Sequence, residues 1–237
     1  GVQAVAANAE ATHPTPPEVT PAASGDQDGD VTYGLDQIDV LGFEEEFGVS
    51  GDNATVSIID DGISNPDEGH PDLEFATEAI AANGEVTTGT LGAPGAHGEH
   101  VAGTATGAAD PEGDVPRYGV APDADLIKIN AFEGGAFTDD IIAAVQYSHE
   151  EGADVASMSL GFGPVDGTST IQPMMDDVIQ DANAAGTMVI GSAGNEGSGD
   201  VGGPATSPGA EFDGFSVGAS NDAGNIAGFS SGALINE

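Results

Sequence analysis

The 237-residue sequence has no cysteine, no tryptophan, only two cations and no long apolar run. Without cysteine there are no disulfides, no thiolate metal sites and no cysteine nucleophile. A spanning helix needs about 18 consecutive apolar residues, and no such stretch occurs. The two cations, Arg117 and Lys128, face 41 Asp and Glu, for a formal net charge of −39. No basic patch is available to neutralise phosphates, so neither nucleic acid nor an anionic lipid surface is an expected partner. None of the five histidines falls in an H-E-x-x-H pattern, which argues against zinc. Neither an initiator Met nor a signal peptide precedes Gly1, as expected of a processed or clipped sequence.

What is present points to a folded domain. An acidic excess alone is the mark of a disordered chain. Here 38% of residues are hydrophobic and they recur in runs. A folded chain with this charge repels itself in dilute solution. At about 1 M salt the Debye length falls to roughly 3 Å, so adaptation to a very salty medium is expected. The 37 glycines and 5% aromatics suit tightly packed α/β layers better than a bundle of long helices.

Along the chain, GVQAVAANAEA (1–11) alternates like a single stray strand without partners. HPTPPEVTPAASGDQDGD (13–30) reads as a Pro-rich acidic linker. Regular patterning begins at Val31. Apolar runs predict strands in TVSIID (55–60), DADLIKINAF (123–132), VASMSLG (155–161), TMVIGSAGN (187–195) and FSVGAS (215–220). Helices are predicted over 139–152 with Thr138 as cap, over 171–186 with Gly186 as stop, and over 100–108 as a buried run of small residues. Alternating strands and helices imply a mainly parallel sheet covered on both faces, within one domain spanning 31–237. Sites in such sheets form beyond the carboxyl ends of strands, where Asp60 and Asn195 both stand.

Individually these residues are unremarkable. Asp60 in DDG fits a turn, a lone His97 usually satisfies one hydrogen bond, and Asn195 suits a left-handed turn position. Jointly they are the parts of acyl transfer. A histidine takes the proton of a nucleophile while an aspartate orients its ring. An asparagine amide donates to the developing oxyanion. Glycines around them allow substrate backbone to approach.

The stretches VSIIDDGI (56–63), GHPDLE (69–74), HGEHVAGTATG (97–107), SMSLGFG (157–163) and VIGSAGNEG (189–197) occur in this order. Together they resemble the motifs of the subtilisin-like serine proteases, peptidase family S8. VTYGLDQI (31–38) and YGVAPDADLIKINAF (118–132) resemble its N-terminal segment and the strand after its histidine helix. The likeness covers about 31–231. It implies a three-layer αβα fold with a mainly parallel sheet, incomplete at the C-terminus. It also implies a secreted, monomeric serine endopeptidase acting on peptides or proteins. By position, Asp60 and His97 match the triad acid and base, and Asn195 the oxyanion asparagine. Ser159, Leu160, Gly161 and Gly194 match the wall of the substrate pocket. Gly134, Gly135 and Ala136 match the edge strand that pairs with substrate. Asp72 matches a calcium-binding aspartate; from the residues alone, the loop 108–119 offers Asp110, Glu112 and Asp114 as oxygen ligands for a hard cation, with a merely solvated acidic loop as the alternative. Structural Ca2+ is therefore a possible cofactor, and no organic cofactor is expected. Residues 1–12 resemble the tail of the family's inhibitory propeptide.

Several positions depart from the family pattern. Asp61 stands where Ser or Thr is common, and the DDG form resembles the kexin-like branch. Glu99 replaces the Thr or Ser between the two histidines; it reads as a solvated acid, with a charge close enough to act on His97 as the alternative. Phe162 replaces a glycine and is expected to narrow the pocket mouth. The family's serine lies in G-T-S-x-A-x-P, and the 237 residues contain no such motif. GTST (167–170) precedes Asn195 and lacks the Ala and Pro. GFSSG (228–232) lacks the Asp and His that a G-x-S-x-G enzyme places after its serine. The expectation is an inactive fragment of a longer protease, with a non-catalytic peptide-binding protein as the alternative.

Overall fold

A computed structural model of the chain describes residues 9–12, 30–64, 70–89, 92, 93, 95–162, 172–195, 197 and 214–231. Most of the linker (13–29), with His13, and the GTST stretch lie outside the described residues. The elements in chain order begin with β1 (Glu10–Ala11), α1 (Tyr33–Gln37), α2 (Val40–Phe47) and β2 (Thr55–Asp60). Next come β3 (Thr77–Ala82), β4 (Glu85–Thr88), α3 (Ala96–Thr106), β5 (Asp125–Asn130) and β6 (Ala136–Phe137). The last are α4 (Thr138–Glu150), β7 (Val155–Met158), α5 (Gln172–Ala185), β8 (Met188–Ser192) and β9 (Phe215–Val217).

The main sheet has seven strands in the order β4-β3-β5-β2-β7-β8-β9. Every pairing is parallel except the β3–β4 hairpin. Strands buried on both faces read as continuous apolar runs, which is why TVSIID and DLIKIN were legible. Alternate residues serve opposite layers. Ile59, Ile127 and Ile129 join Ile141, Val145, Met175 and Ile179 of α4 and α5 in one core. Ile58 and Leu126 join Ala102 of α3 in the other. The chain is thus a three-layer αβα domain with a mainly parallel sheet, as the sequence implies. Each fully buried isoleucine contributes roughly 1.5–3 kcal/mol by removing its side chain from water.

Both cations are inside. Arg117 is 8% exposed and its guanidinium forks onto the Glu44 carboxylate of α2 at 2.9 and 2.6 Å. Lys128 is 1% exposed, with its ammonium 5.6 Å from the Phe75 ring centre. Positive lysine and arginine charge is therefore missing from the outer surface of a chain whose acids number 41.

Three sequence expectations change. Residues 10–11 are not a stray strand: β1 pairs antiparallel with β6, Ala11 opposite Ala136. Thr138 does not cap α4; it is the first helical residue, and its backbone and hydroxyl bond to Ala9. The capping acceptor is Asp140, whose buried carboxylate takes the Phe137 amide at 3.1 Å and the Gly84 amide at 2.9 Å. The β3–β4 hairpin was missed. Its two-residue loop is Asn83-Gly84, with φ of 56° and 73°, the pair that suits a tight hairpin with matching twist.

Candidate active site

Asp60 closes β2 at the carboxyl edge of the sheet and is 1% exposed. A buried carboxylate is costly unless hydrogen-bonded. Its Oδ1 accepts the Asp61 amide at 2.8 Å and lies 2.8 Å from Nδ1 of His97. His97 is in the first turn of α3, the crossover helix that leaves this edge, and its side chain is 31% exposed. The hydrogen bond to Asp60 raises the imidazole pKa above 6.5, and burial opposes that rise. The negative charges of Asp60 and Asp61 add to it. With Nδ1 held by the acid, exchange of a proton with a reacting group falls to Nε2.

The glycines beside His97 accommodate the chain itself. A Cβ on Gly95 would lie 2.0 Å from the Asp61 carboxylate. One on Gly98 would lie 2.3 Å from the Gly62 carbonyl oxygen. This closeness lets the Gly98 amide donate to Asp61 Oδ1 at 2.7 Å and the Gly95 amide to the Gly62 carbonyl at 3.3 Å. Glu99 is half-buried and engages the loop after β2. Its Oε1 accepts the Ser64 amide at 3.1 Å and the Ser64 hydroxyl. The groups raising the histidine pKa are Asp60 and Asp61.

Asn195 stands three residues beyond β8 on the same carboxyl edge as Asp60. Only β7 separates β8 from β2, so the two positions leave the sheet about 10 Å apart. Gly194, at φ 103°, makes the bend before it, and its carbonyl accepts the Ser231 amide at 2.9 Å.

Two backbone stretches bond residues 9–12 from either side, leaving a strand-wide groove between them. Gly134 and Gly135, with φ of 87° and 112°, lead into β6 on one side, and Ser159, Leu160 and Gly161 follow β7 on the other. Residues 9–12 lie between. Thr12 and Gly161 exchange both backbone bonds, at 2.9 and 3.0 Å, while Glu10 and Ala11 pair with Phe137 and Ala136. Ala11 is buried. Leu160 offers the groove its backbone only, because its side chain is 0% exposed in the core. Phe162 is half-buried against the same core.

Asp72 sits elsewhere, behind α3. Its carboxylate accepts the Tyr118 hydroxyl and, at 2.7 Å, the Glu112 amide. Burial and Asp72 push the Tyr118 pKa upward. Asp110, Glu112 and Asp114 are exposed on the following loop. Among the described residues, no set of three carboxylate or imidazole groups that includes Asp72 comes within ligand spacing. Each Asp72 oxygen accepts one protein donor, and no step is routed through a calcium ion.

The profile of the Subtilase family matches residues 51–234. Subtilisin from Bacillus pumilus is 34% identical over 207 residues, covering 85% of this chain and 68% of that protein. Subtilisin Savinase from Lederbergia lenta is 30% identical, with 77% and 61% covered. The major intracellular serine protease of Bacillus subtilis (strain 168) is 36% identical, with 65% and 46% covered. The chain spans less than two thirds of the last two.

Proposed function

The chain belongs to the subtilase family, and from that premise we propose that it carries the acid–base and substrate-binding parts of a serine endopeptidase. The observation that carries the reading is the 2.8 Å contact between buried Asp60 and His97, and it is supported by residues 9–12, an extended segment bonded to Ala136–Phe137 and to Gly161. Nε2 of His97 takes the proton of a serine hydroxyl as its oxygen attacks the scissile carbonyl carbon. The Asn195 amide donates to the resulting oxyanion. Collapse breaks the C–N bond, and the imidazolium returns the proton to the leaving amine. Water, deprotonated by the same histidine, then hydrolyses the acyl-enzyme.

The serine is proposed to come from outside these 237 residues, since no G-T-S-x-A-x-P occurs within them. In GFSSG, Ser230 is 1% exposed; its hydroxyl accepts the Ala219 amide and donates to the Ser231 carbonyl. That supports a structural role. The chain alone should cleave peptides no faster than a residual rate from binding and oxyanion contacts. Residues 9–12, bonded on both sides, support the reading of this segment as an inhibitory tail seated where substrate would lie. Asn195, Gly134, Gly135, Ala136, Ser159, Gly161 and Gly194 keep their substrate-side roles in this proposal.

Two arms test it. The gene product extended through the next G-T-S-x-A-x-P should hydrolyse a casein-type substrate and lose that activity in His97→Ala. Deleting residues 1–12 from the 237-residue chain should unmask binding of a fluorescent extended peptide. Peptide binding with no cleavage by the extended protein would favour the non-catalytic reading. Secretion is part of the same proposal and is decided by recovering the mature protein from medium rather than cells. The acidic surface further supports adaptation to high salt: circular dichroism should show unfolding near zero salt and a native spectrum at molar salt.

A further inference from the structure

Asp61 and Glu99 are two of the positions where the chain departs from its family's usual residues, and the structure gives them a shared task. Three backbone N–H donors and one hydroxyl join the loop after β2 to the first turn of α3. Gly98 donates to Asp61 Oδ1, Gly95 to the Gly62 carbonyl, and the Ser64 amide and hydroxyl to Glu99 Oε1. The two carboxylates act in opposite directions. Asp61 reaches from loop to helix, and Glu99 reaches from helix to loop. His97 immediately precedes Gly98 and Glu99, and lies between the Gly95 and Gly98 donors.

We propose that Asp61 and Glu99 are positioning residues that fix the His97 ring against Asp60, and that Asp61 also sets a second negative charge beside the ring. The proposal rests on the reading of Asp60 and His97 as an acid–base pair. Without the two carboxylates, the 3.3 Å backbone bond from Gly95 to Gly62 is left to join the loop after β2 to the start of α3. The 2.8 Å separation of Nδ1 and Oδ1 would then depend on a helix free to rock. A displacement of about 1 Å in such a constellation can cost on the order of 10²-fold in rate. The Asp61 amide bonds the same Asp60 oxygen that faces His97, so one residue ties acid, helix and base together.

The charge effect is specific to Asp61. From the end of β2, a carboxylate oxygen of Asp60 and one of Asp61 lie within 4.8 Å of a ring nitrogen of His97 and of each other. On α3, Glu99 turns to Ser64, and His100, one turn on, is exposed. From the loop after β5, Glu133 bonds the Ala93 amide and the Asn130 side chain. Removing the Asp61 charge therefore takes away one of the two negative charges that favour imidazolium, consistent with the upward displacement of the His97 pKa. A serine or threonine at this position could accept the Gly98 amide but could not supply the charge.

The test is histidine-ring NMR on the 237-residue chain in molar salt, which needs no serine nucleophile. In Asp61→Asn the amide oxygen can still accept from Gly98, so the Nδ1–H signal should persist while the titration midpoint of His97 falls. In Asp61→Ala and Glu99→Ala, tested singly with circular dichroism as a check on folding, that proton should exchange about fivefold faster. This is the change in opening equilibrium that one net hydrogen bond gives. A wild-type midpoint in Asp61→Asn overturns the charge effect. Wild-type exchange in both alanine variants overturns the positioning role. Should an alanine variant unfold, Glu99→Gln with Asp61→Asn supplies a charge-neutral pair whose Nδ1–H signal must survive. Asp60→Ala is the control: an unchanged His97 there sinks the acid–base reading itself, whereas failure confined to Asp61 and Glu99 leaves it intact.

Discussion

The two flanks of the cleft are built differently. On one, Asp60 and His97 are held by β2, α3 and the loop after β2, with a buried Asp60, half-buried partners and charge-assisted bonds to carboxylates. On the other, Asn195 follows β8 beside β9, a strand whose three residues are all exposed. Phe215 is 53% exposed and Ile226 75%. This flank is joined by backbone bonds from residues far along the chain, Ser231 to Gly194 and Gly197 to Phe229. Both flanks close over similar spans of sequence, 37 positions from Asp60 to His97 and 37 from Gly194 to Ser231, so what separates them is the kind of bond and the degree of exposure. The second relies on backbone bonds beside an exposed strand, so its geometry is the more easily lost.

The largest separation between the flanks is expected in catalysis. In the extended, serine-containing protein, Asp60→Asn should lower kcat about 10⁴-fold, because the imidazole loses both its orientation and its tautomer. Asn195→Ala should cost about 10²–10³-fold, the loss of one oxyanion donor. Equal losses measured by steady-state kinetics would erase the distinction. Stability gives the next contrast. Ile59, fully buried beneath Asp60, should cost about 2–5 kcal/mol as alanine, through lost burial and the cavity left behind. Ile226→Ser on the exposed flank should stay within about 0.5 kcal/mol in the same denaturant titration. A large loss at Ile226 would mean that the second flank is packed in solution more tightly than its exposure indicates.

The same contrast governs what could be read in the sequence. The central strands were legible because burial on both faces forces unbroken apolar runs, as in TVSIID and DLIKIN. Helices α4 and α5 were legible from their periodic apolar face and their glycine stops at 152 and 186. Asp60 and His97 were found because their motifs are local. Their mutual contact spans 37 positions, and only the parallel register of β2 and α3's return path could establish it. Glu99 was misread for the same reason: its partner Ser64 is 35 residues away, and an acid in so acidic a chain gives no sign of being engaged. The glycines at 95 and 98 were taken as room for substrate. They also make room for Asp61 and Gly62, a demand visible only once the loop lies against the helix. Residues 10–11 were legible as strand but not as paired, because two residues carry no register information. The hairpin was available in Asn83-Gly84 and was overlooked, its flanking alanines being too small to mark a strand.

The acid–base pairing is the claim on which the functional reading stands, and the titration of His97 in the native chain against Asp60→Ala tests it most directly. A histidine stabilised as imidazolium by a buried carboxylate contributes stability below pH 6.5 that is lost as pH rises through its elevated folded pKa. The expected result is a wild-type midpoint above 6.5 that drops in Asp60→Ala, together with loss of the hydrogen-bonded Nδ1 proton. Superimposable titration curves for the two proteins would contradict it.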